Sequence, residues 1–213
     1  VLAFLFYLSQ YFIVFFFNAA LVGAALMRLR GEDPTLRDAL AIARAHALPL
    51  LGYAAIAATV GLLLRAIQER AGFLGRIVVG LMGMAWSVMT FLVVPIIVHR
   101  QAGPIQALTQ STSMLKKTWG ENLAGQAGIG LVFGTILFGV IVIGMGASIL
   151  AATISTALAA FVFVVFVLAA IGVGIYQAAL SGVYQAALYS YADTGEMPQG
   201  FTSQQITSAF APK

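Results

Sequence analysis

The sequence predicts an all-α fold, a polytopic transmembrane helix bundle of about five spans with two amphipathic interfacial helices, and three observations carry that expectation. Charged residues make up 8% of the 213-residue chain, against roughly 25% in an ordinary soluble domain. Hydrophobic residues make up 61% and mean hydropathy is +0.98. Apolar stretches as long as the roughly 20 residues needed to cross a bilayer recur from one end to the other. So few charges cannot cover a soluble domain of this length, so the solvent for most of the surface is lipid.

The first span, VLAFLFYLSQYFIVFFFNAALVGAALM, occupies about residues 1–27. It opens without an initiator methionine or the charged n-region of a signal peptide, so further sequence, with room for more spans, is expected upstream of Val1. Ala19 and Gly23 form a small-xxx-small pair of the kind that lets two helix backbones approach closely. Asn18 is polar at membrane depth and needs a partner.

An interfacial helix follows at about 34–46. Asp33 suits its N-cap and Pro34 its first turn, where a missing N–H costs nothing. Leu36, Leu40, Ala43 and Ala47 recur on one face, opposite Arg37, Ala41 and Arg44. The second span covers about 47–67, and the third about 75–99, through Trp86 and Pro95. A second interfacial helix is expected at about 104–119, with Ile105, Leu108, Thr112, Leu115 and Trp119 opposed by Gln106, Gln110, Ser113 and Lys117. Basic residues with a tryptophan near one end suit a helix in the headgroup plane. Arg37, Arg44, Lys116, Lys117 and Trp119 are thus the candidate surface for anionic lipid or a partner; the plainer alternative is a connector tucked under the bundle. Pro34 and Pro104 open similar segments, consistent with a repeated unit of span, surface helix and span.

From Leu123 to Tyr191 no residue is charged. The stretch is too long for one crossing, and the small-residue run GMGASILAATIST divides it into spans at about 123–146 and 156–191. Gly130 and Gly134 form a GxxxG pair for helix packing. The duplication YQAALSGVYQAAL repeats Tyr176 and Gln177 as Tyr184 and Gln185; a glutamine in lipid requires a hydrogen-bonding neighbour, so Gln177 and Gln185 are expected between helices. Residues 1–192 then form the transmembrane domain and 193–213 a cytoplasmic tail.

Orientation follows from the basic residues. Arg28, Arg30, Arg37, Arg44, Arg100, Lys116, Lys117 and Lys213 fall on one side of the predicted spans, and Arg65, Arg70 and Arg76 on the other. The positive-inside bias makes the richer side, and the C-terminus with it, cytoplasmic. The net charge of +4 is a topology signal, not a nucleic-acid footprint.

Cysteine is absent, which removes disulfides, thiolate metal sites and thiol redox chemistry. All seven acidic residues lie in connections or the tail, which disfavours an ion-coupled transporter built on intramembrane carboxylates. There is no GxSxG, HExxH, P-loop or strand-to-helix GxGxxG motif, so no catalytic residue and no metal site is assigned. His46 and His99 are the candidate axial ligands for a haem or chlorin, the alternative being interfacial polar residues; no cofactor is otherwise expected.

The runs GEDPTLRDALAIARAHALPLLGYAAIAATVG, GRIVVGLMGMAWSVMTFLVVPIIV and LKKTWGENLAGQAGIGLVFG resemble an uncharacterised prokaryotic family of multi-pass membrane proteins, known only as a domain of unknown function, over nearly the whole chain. More distantly, the surface helix, the Lys-Trp region and the Gly-led span are similar to membrane domains that accompany bacterial glycerophosphodiesterases; the hydrolase domain is absent. The resemblance implies a prokaryotic inner-membrane location and brings no activity. The expectation is a non-catalytic scaffold or accessory subunit with a membrane-protein partner or a second copy, and with anionic lipid at its cytoplasmic face. The alternatives are a passive channel or lipid transporter, needing a polar path past Asn18, Gln126, Gln177 and Gln185, and a membrane enzyme with its catalytic residues upstream.

Overall fold

The computed structural model describes residues 2–117 and 119–194, with side chains at all of these except 115–127 and 194. It is all-α among the described residues, in the order α1 (Leu2–Leu29), α2 (Leu36–Ala45), α3 (Ala47–Arg70), α4 (Phe73–Met89), α5 (Val93–Arg100), α6 (Pro104–Lys117), α7 (Trp119–Ala152) and α8 (Thr156–Thr194). Five stretches are long and apolar enough to cross a membrane: α1, α3, Phe73–Arg100, Gly128–Ala152 and Thr156–Asp193. Two details of these spans differ from the sequence expectation. The third span is not one helix, for a reason set by Pro95 and described below. The fourth span runs on to Ala152 instead of ending near residue 146. Small residues alone do not stop a helix; the break comes at Thr153–Ser155, where the Ser155 hydroxyl accepts from Leu158 N at 3.1 Å and starts α8.

The chain divides into two compact units, Val1–Gly120 with Gly182–Lys213, and Glu121–Ser181. In the first, α1 packs against α2, α3 and α5, and α5 against α6. The core joins Val22 and Leu26 of α1, Leu50 and Tyr53 of α3, Val93, Ile96 and Ile97 of α5, Ala107 of α6 and Leu188 of α8. Residues Val93 to Ile97 of the short α5 are all buried, so it is the central element. Glycines set the closest approaches: a Cβ at Gly23 would meet Ile42 Cγ2 at 2.8 Å, one at Gly52 would meet Pro104 Cγ at 3.1 Å, and one at Gly182 would collide with Leu21. Aromatic rings stack along the α1–α3 seam, Tyr11 on Phe15 and Phe15 on Tyr53 at 4.4 Å.

In both surface helices the inward face overlaps the expected one only in part: Leu40, Ala43 and Leu108 pack on the core as expected, but the first large apolar residue of each helix does not. Ala39 and Ala43 of α2 are buried while Leu36 is 77% exposed; Ala107 and Ser111 of α6 are buried while Ile105 is 70% exposed. Small side chains let a helix lie close on its neighbours, and the larger apolar residues are left pointing outward. The cap of α2 is Thr35, not Asp33. Thr35 Oγ1 accepts from Asp38 N at 3.3 Å while the Asp38 carboxylate accepts from Thr35 N at 2.9 Å, a reciprocal box that uses two donors where Asp33 would use one. The Thr35 hydroxyl, which donates to the Asp38 carboxylate at 2.6 Å, and then the Thr35 N–H hold that carboxyl below its usual range, and Asp33 pairs with Arg28 instead.

In the second unit α7 and α8 form a hairpin. A Cβ at Gly144 would lie 2.7 Å from Phe166 Cβ, and Phe133 meets Tyr176 with ring centroids 5.8 Å apart. By contrast, Gly130 and Gly134 have nothing within 4 Å of a built Cβ among the described residues. Gly144→Ala is therefore expected to destabilise the hairpin by about 1–3 kcal/mol through overpacking. Gly134→Ala is expected to leave it unchanged or to stabilise it by about 0.5–1 kcal/mol. Thermal unfolding of the two variants in the same detergent checks the difference; equal melting temperatures would refute the assigned packing.

Candidate functional site

Residues 90–92 interrupt the third span, and the cause lies four residues after Phe91. Pro95 has no N–H, so the Phe91 carbonyl loses its helical donor, and the proline ring crowds the same carbonyl. In water such a group would be solvated; at membrane depth it needs a protein partner. The backbone responds with shortened bonds, Phe91 N to Val88 O and Val93 N to Thr90 O, both at 3.1 Å.

Three side chains from other helices complete the accounting. Gln185 of α8 donates through Nε2 to the Phe91 carbonyl. Its Oε1 accepts from Asn18 Nδ2 of α1 at 3.2 Å. The Ser111 hydroxyl of α6 donates to the Met89 carbonyl at 2.6 Å and accepts from Leu92 N at 3.2 Å. One hydroxyl thus serves a donor and an acceptor on opposite sides of the break. Ser111 and Gln185 are the buried polar residues of the described structure, 0% and 7% exposed. The Tyr184 ring packs beside that of Phe91, so the second copy of the YQAAL motif seats α8 on the break.

A polar cluster lies at the α1, α5 and α8 ends. Arg30 Nη2 donates to His99 Nδ1 at 2.8 Å. That bond leaves the proton of a neutral imidazole on Nε2, which faces Asp193 Oδ2 at 3.6 Å. Asp193 also pairs with Arg100, which donates to Gln110 Oε1 at 3.1 Å. The His99 ring meets Tyr189 edge-on with centroids 5.4 Å apart. Tyr189 is 1% exposed, and its enclosed hydroxyl oxygen lies against the Arg100 guanidinium while its proton has no acceptor among the described residues. At the opposite end of α1, Tyr7 accepts from Arg65 of α3, which also pairs with Glu69 at 2.9 Å.

The residues singled out from sequence distribute unevenly over these features. Ala19 and Gly23 lie in the α1 core, and Gln185 sits in the break, while Gln177 is half-buried in the other unit. Arg37 and Arg44 are exposed on α2. Lys116, Lys117, Trp119 and Gln126 have side chains outside the described ones. His46 bonds the Ile42 carbonyl through Nδ1 at 2.8 Å where α2 meets α3, whereas His99 belongs to the Arg30 cluster. No group of three or more metal-ligating side chains gathers among the described residues.

Sequence reasoning does not single out Ser111, Arg30, Arg100, Tyr189 or Asp193 as site residues. The signal it does contain is Pro95 inside an apolar run, since a proline in a span announces an orphan carbonyl four residues earlier. Gln185→Leu is expected to cost about 1–3 kcal/mol, the penalty of a buried unpaired carbonyl. In a Pro95→Ala background the cost should shrink, because the alanine restores a backbone N–H that can bond Phe91 O directly. A double-mutant cycle by denaturation in detergent measures this coupling, and strictly additive losses would refute the assignment.

The model of a family of unknown function, DUF6159, matches residues 1–200 of the chain. No curated protein and no solved structure matches it.

Proposed function

The chain belongs to the family of unknown function DUF6159, and from that premise we propose that it is a non-catalytic membrane scaffold or accessory subunit. The observation that carries this reading is how its intramembrane amides are used. Gln185 accepts from Asn18 and donates to the Phe91 carbonyl, so these amides of the first unit hold helices together. A partner is expected at the hairpin. The α7 and α8 spans bury 6% and 0% of their most apolar windows, against 28–33% for the other three, and Leu131, Phe138 and Phe161 are each more than 60% exposed.

Photo-crosslinking residues at positions 131, 138 and 161, in native membranes, should trap a stoichiometric membrane protein or a second copy, which co-purifies in mild detergent. Recovery of the chain alone, with crosslinks only to lipid, would sink the proposal.

We infer, from the distribution of basic residues, that the C-terminal end of the chain lies on the cytoplasmic side of a prokaryotic inner membrane. The Arg30–His99 and Arg100–Asp193 contacts gather the ends of α1, α5 and α8, so Arg28, Arg30, Arg37, Arg44 and Arg100 share a side. Arg65, at the other end of α1 beside Tyr7, lies opposite with Arg70 and Arg76. A cysteine introduced at exposed Leu36 should react with an impermeant maleimide only in inverted vesicles, and one at Phe73 only in right-side-out vesicles. The reverse pattern refutes the orientation.

A further inference from the structure

We propose that Arg30, His99 and Arg100 form a binding site for the monoanionic phosphodiester headgroup of a membrane lipid. Depth is the first argument. Arg30 follows directly on the apolar helix α1 and Arg100 is the last residue of α5, so both guanidiniums sit where hydrocarbon gives way to headgroups.

Charge is the second. His99, neutral, stands between Arg30 on one ring nitrogen and Asp193 on the other, and Asp193 pairs with Arg100, so the cluster holds two guanidiniums and one carboxylate and is left with one positive charge, the complement of one phosphodiester. Among the described residues Arg30 has no carboxylate partner; its recorded bond is to an imidazole nitrogen, whereas Arg28, Arg65 and Arg100 each have an acid. A planar guanidinium presents five N–H donors, and one bond to His99 leaves a fork free for phosphate oxygens.

The third is an orphan. The enclosed Tyr189 hydroxyl stands among these cations with no acceptor, and an anion oxygen on Arg100 would supply one. Arg100 and His99 side chains are 41% and 33% exposed, so the site is reachable. Asp193 is the internal competitor: it occupies Arg100 until the headgroup displaces it.

The purified full chain, delipidated and placed in nanodiscs of phosphatidylcholine with or without phosphatidylglycerol, tests this by native mass spectrometry and by melting temperature. Wild type should retain one phosphatidylglycerol and melt higher in its presence. Arg30→Gln should lower retention about tenfold, the loss of one charge-assisted contact, with Arg30→Lys intermediate. Asp193→Asn should retain the lipid as well or better, since the competing charge is gone. A purely structural clasp would give the opposite result, with Asp193→Asn losing as much as Arg30→Gln, and that overturns the proposal. Equal retention of phosphatidylcholine overturns it, as does equal stabilisation by millimolar inorganic phosphate, which would mark a soluble anion as the ligand. Intact folding of each variant is read from its helical circular dichroism before retention is compared.

Discussion

A carbonyl without a donor is intolerable in hydrocarbon, and the first compact unit is organised around one. Pro95 removes the N–H that Phe91 O would have received. Once the helix is broken there, three further demands follow: a donor for Phe91 O, another for Met89 O and an acceptor for Leu92 N. Gln185 meets the first, and Ser111 meets the other two. Each comes from a different helix, so satisfying one short stretch of backbone fixes where α6 and α8 lie. Asn18 then extends the linkage to α1 by occupying the other end of the Gln185 amide.

Polar groups alone would not bring these helices close enough, and the packing shows why small residues accompany them. Gly182 admits Leu21, three residues before Gln185, so α8 can approach α1 at the level of the amide pair. Farther along the same helix, Tyr189 and Asp193 meet His99 and Arg100. Positions 182, 185, 189 and 193 follow helical spacing and give the end of α8 one continuous inward face. Basic residues at the ends of α1 and α5 also complement the carbonyl ends of those helices.

The helical class and the five apolar crossings are legible in composition and run length, because lipid leaves few alternatives. The need of Gln185 for a protein partner is legible too; which partner it finds is not, since Phe91 is 94 residues away and its backbone carbonyl has no sequence signature. The inward faces of the surface helices escape for another reason. Periodicity centres that face on the largest apolar residues, Leu36 and Ile105 among them; close packing rotates it so that Ala39, Ala43, Ala107 and Ser111 lie innermost, Leu40 and Leu108 stay at its edge, and Leu36 and Ile105 point outward. Thr35 caps α2 in place of Asp33 because a reciprocal box outweighs a single acceptor. The Arg30–His99–Asp193 grouping draws on three distant segments whose spacing carries no common pattern.

The bond between Gln185 and Phe91 also has a consequence in time. The acceptor is synthesised first and its donor 94 residues later, an interval on the order of ten seconds at ordinary rates of translation. During that interval a nascent chain holding α1 to α6 carries an open carbonyl and a vacant seat beside Leu21. The first unit is therefore closed only when α8 brings Gln185, and until then the unfinished bundle holds an unpaired polar group that hydrocarbon cannot solvate.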